Sequence, residues 1–591
     1  MTETKNPELA SIKSLVREPK ARGVAQWLPG FTVLRNYRSE WLWKDLFAGL
    51  VLTAILVPVG MAYAEVAGLP AIYGLYATIV PLLAYAVFGP SRILVLGPDS
   101  SLVAVIAATV LPLAGTNPDR IPILAAMLAI LSGALCVLAG VAKFGFITDL
   151  LAKPIRYGYL NGIALTVLVG QLPKILGFSA RGERLLAKIG SLVHGVVNGQ
   201  INWIAFAIGI SSLVLILGFK RWLPKIPGTL VAVVGATMVV GGLDLSSRVS
   251  VAGSLPTGLP SFQIPDVSFA EIISLFAGAI AIALVSFADT SVLSRTFALR
   301  GGYEVDENQE LIALGAANVI SGFFQGFSIS SSSSRTPVAE SAGAKTQLTG
   351  IVGALCIALL LLFGPNLLRN LPDAVLAAVV ISACISLIEI SGVIRTYHLR
   401  RSEFVWSIAC FIGVASLGVI QGIFIAVGLA LLAFIWRAWR PYCAVLGRVD
   451  GLKGYHDITR YSHAKQIPGL VLFRWDAPLF FANAEMFREH ILSAIASAPS
   501  PARWIVVAAE PVTDIDTTAA DVLVELDDAL YKAGVELCFA EMKDPVKDHI
   551  KLYGFFAKVG AEKFFPTLGK AVDEYLEQNK VQYLDWEDQS K

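Results

Sequence analysis

The chain has 591 residues, 55% of them hydrophobic and only 16% charged, with a formal net charge of +2 at pH 7. That balance is too apolar for a soluble globular protein, and it lacks the basic excess of a nucleic-acid binder. Six widely spaced cysteines, four inside apolar runs and none in CxxC spacing, exclude a disulfide framework or a cysteine metal site.

Residues 1–44 open with MTETKNPELASIKSLVREPKARG, charged throughout and without the apolar stretch of a signal peptide, so this segment is expected in the cytosol. Residues 45–440 form the expected membrane domain, a series of long apolar runs broken by Gly, Pro and a few charges. Runs near 47–66, 73–89, 98–113, 121–142, 155–177, 203–218, 227–243, 270–290, 308–323, 333–343, 347–364, 371–392, 403–418 and 420–438 predict about fourteen helical spans, several short or broken. Cations recur in every second connection: Arg92; Lys143, Lys153 and Arg156; Lys220, Arg221 and Lys225; Arg295 and Arg300; Lys345; Arg395, Arg400 and Arg401; Arg437 and Arg440. The stretch 181–188, with Arg181, Arg184 and Lys188, breaks the rule. This asymmetry predicts a multi-pass protein of the inner cell membrane with both termini cytosolic.

Residues 441–466 read as a linker and 467–591 as a soluble α/β domain. Strands are predicted at 469–476, 504–511 and 535–542, and helices at 486–498, after an N-cap at Thr517 or Thr518, near 544–556 and near 567–578. The six histidines do not cluster, and no nucleotide-binding fingerprint is present, so neither direct ATP drive nor a bound cofactor or metal is expected.

The run DLFAGLVLTAILVPVGMAYAEVAGLPAIYGLYATIVPLLAYAVFGPSR (45–92) resembles the entry signature of the sulfate permease family, the solute carrier 26 anion transporters. SISSSSSRTPVAESAGAKTQLTG (328–350) is a second match, and DAPLFFANAE (476–485) with DIDTTAADVL (514–523) resembles that family's STAS domain. The resemblance implies an all-α membrane domain of two inverted seven-helix repeats, a core moving against a gate, followed by an α/β STAS domain. It also implies a substrate site between the N-termini of the third and tenth helices. The residues point to the same place: GPDSSLVAV (97–105) and SISSSSSRTPVA (328–339) are short, Gly/Pro/Ser-rich segments in corresponding positions of the two halves. Helix N-termini present free N–H groups and partial positive charge to an anion. Tyr63, Asp99, Ser100, Ser101, Ser333, Ser334 and Arg335 are the expected substrate-binding residues.

Two departures from the family stand out. Val59 replaces a glutamine found after the proline of the first span in many relatives, and Asp99 opens the third helix where several relatives carry an apolar residue. Asp99 reads as a proton-coupling group, a counter-charge to Arg335 or a helix cap. Asp289 matches the spacing of the family's cation-coupling acid, the alternative being a hydrated position in the following loop. Glu340 and Lys345 read as a structural pair or gate element. Thr518 falls where related anti-sigma-factor antagonists are phosphorylated, although Ala519 replaces their usual glycine.

The leading functional expectation is therefore proton- or sodium-coupled symport or exchange of a small anion, sulfate first, bicarbonate or a dicarboxylate next. The expected partners are membrane lipid, a second copy of the chain and a cytosolic protein that binds the STAS domain. A nucleobase permease of the same fold and a membrane-anchored STAS signalling scaffold are the alternatives; an enzyme is not expected.

Overall fold

The computed structural model describes residues 27–146, 153–178, 185–223, 227–253, 256, 258–581 and 583. Arg181, Arg184 and Lys225, and the segment before Trp27, lie outside these. The chain divides into two compact units, Met1–Ala430 and Leu431–Lys591, with the boundary inside one helix.

Fourteen described helices, the last of them crossing the boundary, answer to the fourteen predicted runs. In the first half they are α1 (Leu42–Val66), α2 (Ala71–Phe88), α3 (Ser100–Ala114), α4 (Arg120–Val141), α5 (Lys153–Ile175), α6 (Trp203–Trp222) and α7 (Gly228–Gly242). The second half repeats the series as α8 (Phe269–Gly301), α9 (Glu307–Phe323), α10 (Arg335–Ser341), α11 (Leu348–Phe363), α12 (Asp373–Leu387), α13 (Arg401–Leu417) and α14 (Val419–Trp439). Seven described helices are long and apolar enough to cross a bilayer unaided. The third and tenth, at 15 and 7 residues, are too short to do so. Each is preceded by a two-residue strand, β1 (Leu96–Gly97) before α3 and β2 (Ser330–Ser331) before α10, and the two strands pair antiparallel. Large apolar side chains elsewhere face outward as lipid-exposed surface, with Trp203 and Trp222 exposed at the two ends of α6 as interfacial anchors.

Helices α1–α4 and α8–α11 pack on one another as a core group; α5–α7 and α12–α14 form the gate group. Small residues bring the core helices together: a Cβ on Gly133 of α4 would lie 2.6 Å from the carbonyl oxygen of Gly315 on α9. Asp45 at the start of α1 is fully buried, and its carboxylate accepts from the amides of Lys345 and Thr346 and the hydroxyls of Thr346, Thr349 and Tyr37. These bonds anchor the turn between α10 and α11, where the sequence suggested a Glu340–Lys345 pair. Glu340 instead pairs with Arg300, at 3.1 Å.

Helix α8 departs from its predicted end near residue 290 and continues to Gly301, so Arg295 and Arg300 belong to the helix, where they were expected in a loop. Its polar residues explain the length. Ser286, Asp289, Thr290 and Ser294 recur at helical spacing and are all buried, forming one inward stripe, while Val292 and Leu299 point outward. The helix ends where Gly302 adopts a left-handed conformation, φ +68°.

The second unit holds a six-stranded sheet in the order β4-β3-β5-β6-β7-β8. Its strands are β3 (Cys443–Arg448), β4 (Tyr455–Asp457), β5 (Leu470–Trp475), β6 (Trp504–Ala508), β7 (Glu536–Ala540) and β8 (Phe564–Phe565). Strands β5 to β8 run parallel and β3 pairs antiparallel with β5. Alternation along β5 sends Val471 and Phe473 into one core and Leu470 and Leu472 into the other. The first core is closed by α15 (Ala484–Ala496), α16 (Thr517–Lys532) and α17 (Asp544–Leu552), the second by α18 (Leu568–Asn579). The segment read as a linker, 441–466, supplies β3 and β4. In CAVLGR (443–448) an arginine and a glycine obscure the apolar run, and pairing to β5 is what orders it.

Candidate functional site

The β1–β2 ladder, with Leu96 opposite Ser331 and Gly97 opposite Ser330, ties the starts of α3 and α10 together. It brings residues more than two hundred positions apart into one buried polar cluster. Asp99 is the N-cap of α3; its Oδ1 accepts from the Ser101 amide at 3.0 Å and the Ser101 hydroxyl at 2.9 Å. Ser100 and Ser101 are both buried.

Arg335 opens α10 and is 1% exposed. Its Nη2 donates to the Pro98 carbonyl at 2.5 Å and lies 3.9 Å from Asp99 Oδ2, while its amide donates to Ser332 Oγ at 3.1 Å. Its Nε and Nη1 are buried without a hydrogen-bond partner. A buried donor left unmade costs about 1–3 kcal/mol, more when charged, so these atoms call for an acceptor the protein does not provide. Gly97, at φ +154°, makes room for them: a Cβ there would lie 3.1 Å from Arg335 Nη1. Tyr63 of α1 is buried within electrostatic reach of Asp99, Arg335 and Ser100.

The predicted serines divide. Ser100 and Ser101 line the buried cluster, whereas Ser333 and Ser334 lie in an exposed turn, the Ser334 hydroxyl 3.2 Å from that of Ser332. Ser331, not singled out from the sequence, has a buried hydroxyl without a partner. Because α10 is only seven residues long, its contribution is the Arg335 guanidinium more than a helix end. Two of the three alternatives for Asp99, cap and counter-charge, hold together: it caps α3 and faces Arg335 with the same carboxylate.

Asp289 lies twenty residues into α8, buried, with its Oδ1 3.3 Å from Arg156 Nη2 of α5. The loop reading therefore does not hold. Arg156, taken from the sequence as a loop cation, sits in the first turn of α5. Its signal was a lone arginine at the edge of an apolar run, which the charge-asymmetry rule assigned to the connection. In the second unit Asp516, not Thr517 or Thr518, caps α16 by accepting from the Ala519 amide at 2.8 Å; Thr518 is exposed in the first turn. No group of three or more metal-ligating side chains occurs among the described residues.

Two inverted seven-helix halves with an interrupted helix in each, and an α/β domain after them, define a polytopic membrane transporter fold. The chain belongs to the sulfate permease family: residues 42–410 match that family's model and residues 461–571 match the STAS domain. A probable sulfate transporter of Mycobacterium tuberculosis is 39% identical over 552 residues, covering 93% of this chain and 98% of the relative. Human solute carrier family 26 member 6 is 32% identical over 498 residues, 79% of this chain and 64% of the relative. Among solved structures, SLC26A9 matches with TM-score 0.87 at 23% identity, over 97% of this chain and 95% of that one. The transmembrane domain of the cyanobacterial bicarbonate transporter BicA matches with TM-score 0.58 at 22% identity, over 67% of this chain and 98% of that one. At such identities the likeness to the solved structures is one of fold. The relatives named are transporters, not enzymes.

Proposed function

We propose that the chain is a secondary active transporter of sulfate or a similar oxyanion, with the anion held at Arg335 beside the start of α3. The observation that carries this reading is the buried Arg335 guanidinium, two of whose nitrogens lack an acceptor next to Ser100, Ser101 and Tyr63. Guanidinium forks match oxyanions in geometry as well as charge. The sulfate transporters among the relatives support taking sulfate first; the chemistry of the site also suits bicarbonate or a dicarboxylate. Nothing in the site favours a nucleobase, which would need neutral amide partners, or a scaffold, which would not need a buried cation.

Asp99 occupies part of the anion's own surroundings, so its ionised form competes with substrate for Arg335 and for the α3 amides. Asp289 is the coupling acid, taking a proton as the carrier cycles. The site lies where the core group faces the gate group, which suits alternating access by elevator-like movement of one against the other. The charge pattern of the connections supports inner-membrane placement with both termini cytosolic, and the protein is expected to act as a homodimer. The STAS domain is assigned to docking or to binding a cytosolic partner, and a phosphate on exposed Thr518 would meet the positive end of α16.

Uptake of labelled sulfate, bicarbonate and succinate into proteoliposomes, with and without imposed proton and sodium gradients, tests this function. Accumulation of sulfate under a proton gradient is expected; failure of all three to move overturns the reading.

A further inference from the structure

Helix α5 carries two cations that reach across from the gate group to the core group. Lys174 Nζ pairs with Glu65 Oε2 of α1 at 3.0 Å, and Arg156 Nη2 pairs with Asp289 Oδ1 of α8 at 3.3 Å. At about 1.5 Å per residue the two are about 27 Å apart along the helix, so they serve opposite ends of the span. Only Arg156 touches the carboxylate assigned to coupling. One turn further on, Tyr159 is 1% exposed, its hydroxyl has no partner, and it lies within electrostatic reach of both Arg156 and Asp289. Among the described residues, the Asp99 carboxylate and the Ser101 hydroxyl at the start of α3 also face Asp289.

We propose that Arg156 is the internal cation of the coupling site: it neutralises Asp289 when the acid is ionised and gives way when a proton takes its place. The inference rests on Asp289 being the coupling acid. A carboxylate inside a membrane span needs a counter-charge, and a guanidinium supplies one that cannot itself lose a proton. Being tethered, it also holds the place that a sodium ion would have to take, which makes the coupling ion a proton. The pair crosses the boundary between the helix groups. Separating it while ionised would leave two uncompensated charges, one of them the more deeply buried carboxylate, whereas a protonated Asp289 leaves only the Arg156 guanidinium, which at 26% exposure has access to solvent. Protonation therefore frees the core to move. The bookkeeping is one proton from solvent onto the Asp289 carboxylate, with no other bond made or broken, and the unpartnered Tyr159 hydroxyl would have to move to meet the carboxyl group that Arg156 releases.

Replacing Arg156 by Gln leaves Asp99 as the charged neighbour of Asp289, so the acid keeps its proton to higher pH. In proteoliposomes made with the full chain, Arg156→Gln should raise the pH at which gradient-driven uptake falls to half by about 1 to 3 units. Arg156→Lys should shift it less, anion binding by calorimetry should persist in both, and a sodium gradient should drive no uptake by the unmodified protein. An unshifted midpoint in Arg156→Gln overturns the proposal. So does sodium-driven uptake by the unmodified chain, an arm that needs no variant to fold. Asp289→Asn separates the two levels: if it abolishes proton-driven accumulation while Arg156→Gln behaves like the unmodified protein, this inference alone fails. If Asp289→Asn accumulates anion normally, the coupling assignment falls, and the role of Arg156 with it.

Discussion

Arg335, Asp99 and Asp289 are three charges buried in membrane helices, and each has a different electrostatic surrounding. The Arg335 guanidinium has one short bond to Pro98 and two unmatched nitrogens, so its charge is directed to something outside the chain. A charge-assisted hydrogen bond contributes about 1.5–3 kcal/mol. Arg335→Ala should therefore weaken anion binding about 10- to 100-fold, read by calorimetry, with little change in thermal stability in detergent. A parallel loss of stability would make Arg335 a structural residue. The two acids should separate in the same assay. Asparagine at position 99 can still cap α3 through its side-chain oxygen but carries no charge, so Asp99→Asn should bind anion more tightly and with a flatter pH dependence between about pH 5 and 8. Asp289→Asn should leave binding and counterflow exchange intact while gradient-driven accumulation disappears. The reverse assignment of these two outcomes would make Asp99 the coupling group.

At the scale of elements, the site depends on two residues of strand in each half. β1 and β2 replace the missing ends of α3 and α10, and their pairing satisfies backbone groups that could not remain open inside a membrane. Gly97 is where this ladder and the guanidinium come closest. Gly97→Ala should crowd Arg335 and lower anion affinity severalfold, and because φ +154° is a conformation that a residue with a Cβ rarely adopts, it should also strain the start of α3. Affinity equal to that of the unmodified protein would show that the 3.1 Å approach is unimportant. Helix α8 shows how far local reading reaches. Its apolar half was recognised and its polar half was taken for loop, because Ser, Asp and Thr in FADTSVLSRTFA look like a chain leaving the membrane. Only neighbouring helices reveal that these residues form its inward face.

For the whole molecule, the division near Ala430 and Leu431 predicts what can be removed. The proposed anion site draws its residues from α1, α3 with its cap, and α10, and the coupling pair comes from α5 and α8, all of them ahead of the second unit. A chain ending after Arg440 should thus insert and bind anion with unchanged affinity, although turnover or trafficking falls. A cut after Arg448 is the worse choice, since it retains β3 without β5 and exposes Ala444 and Leu446, which are buried in the intact sheet. Such a protein should be more prone to aggregate, measurable by size-exclusion chromatography. Loss of anion binding in a well-folded protein ending at Arg440 would place part of the site in the second unit.

The fourteen runs, the two interrupted segments, the Arg335 motif and the soluble α/β tail were all legible in the sequence, because hydrophobic length, Gly/Pro/Ser interruptions and strand–helix alternation are local properties of a chain. Tertiary structure decided which charges meet. Asp289 finds Arg156 from a distant helix, Glu340 takes Arg300 in preference to nearby Lys345, and Asp45 gathers donors from the turn after α10. It also decided that Asp516, not a threonine, caps α16, and that a segment resembling a linker is strand. A buried charge pairs with whatever opposite charge or donor packing brings to it, and in a bundle folded from two intertwined repeats that partner is set by helix packing, on which spacing along the sequence carries no information.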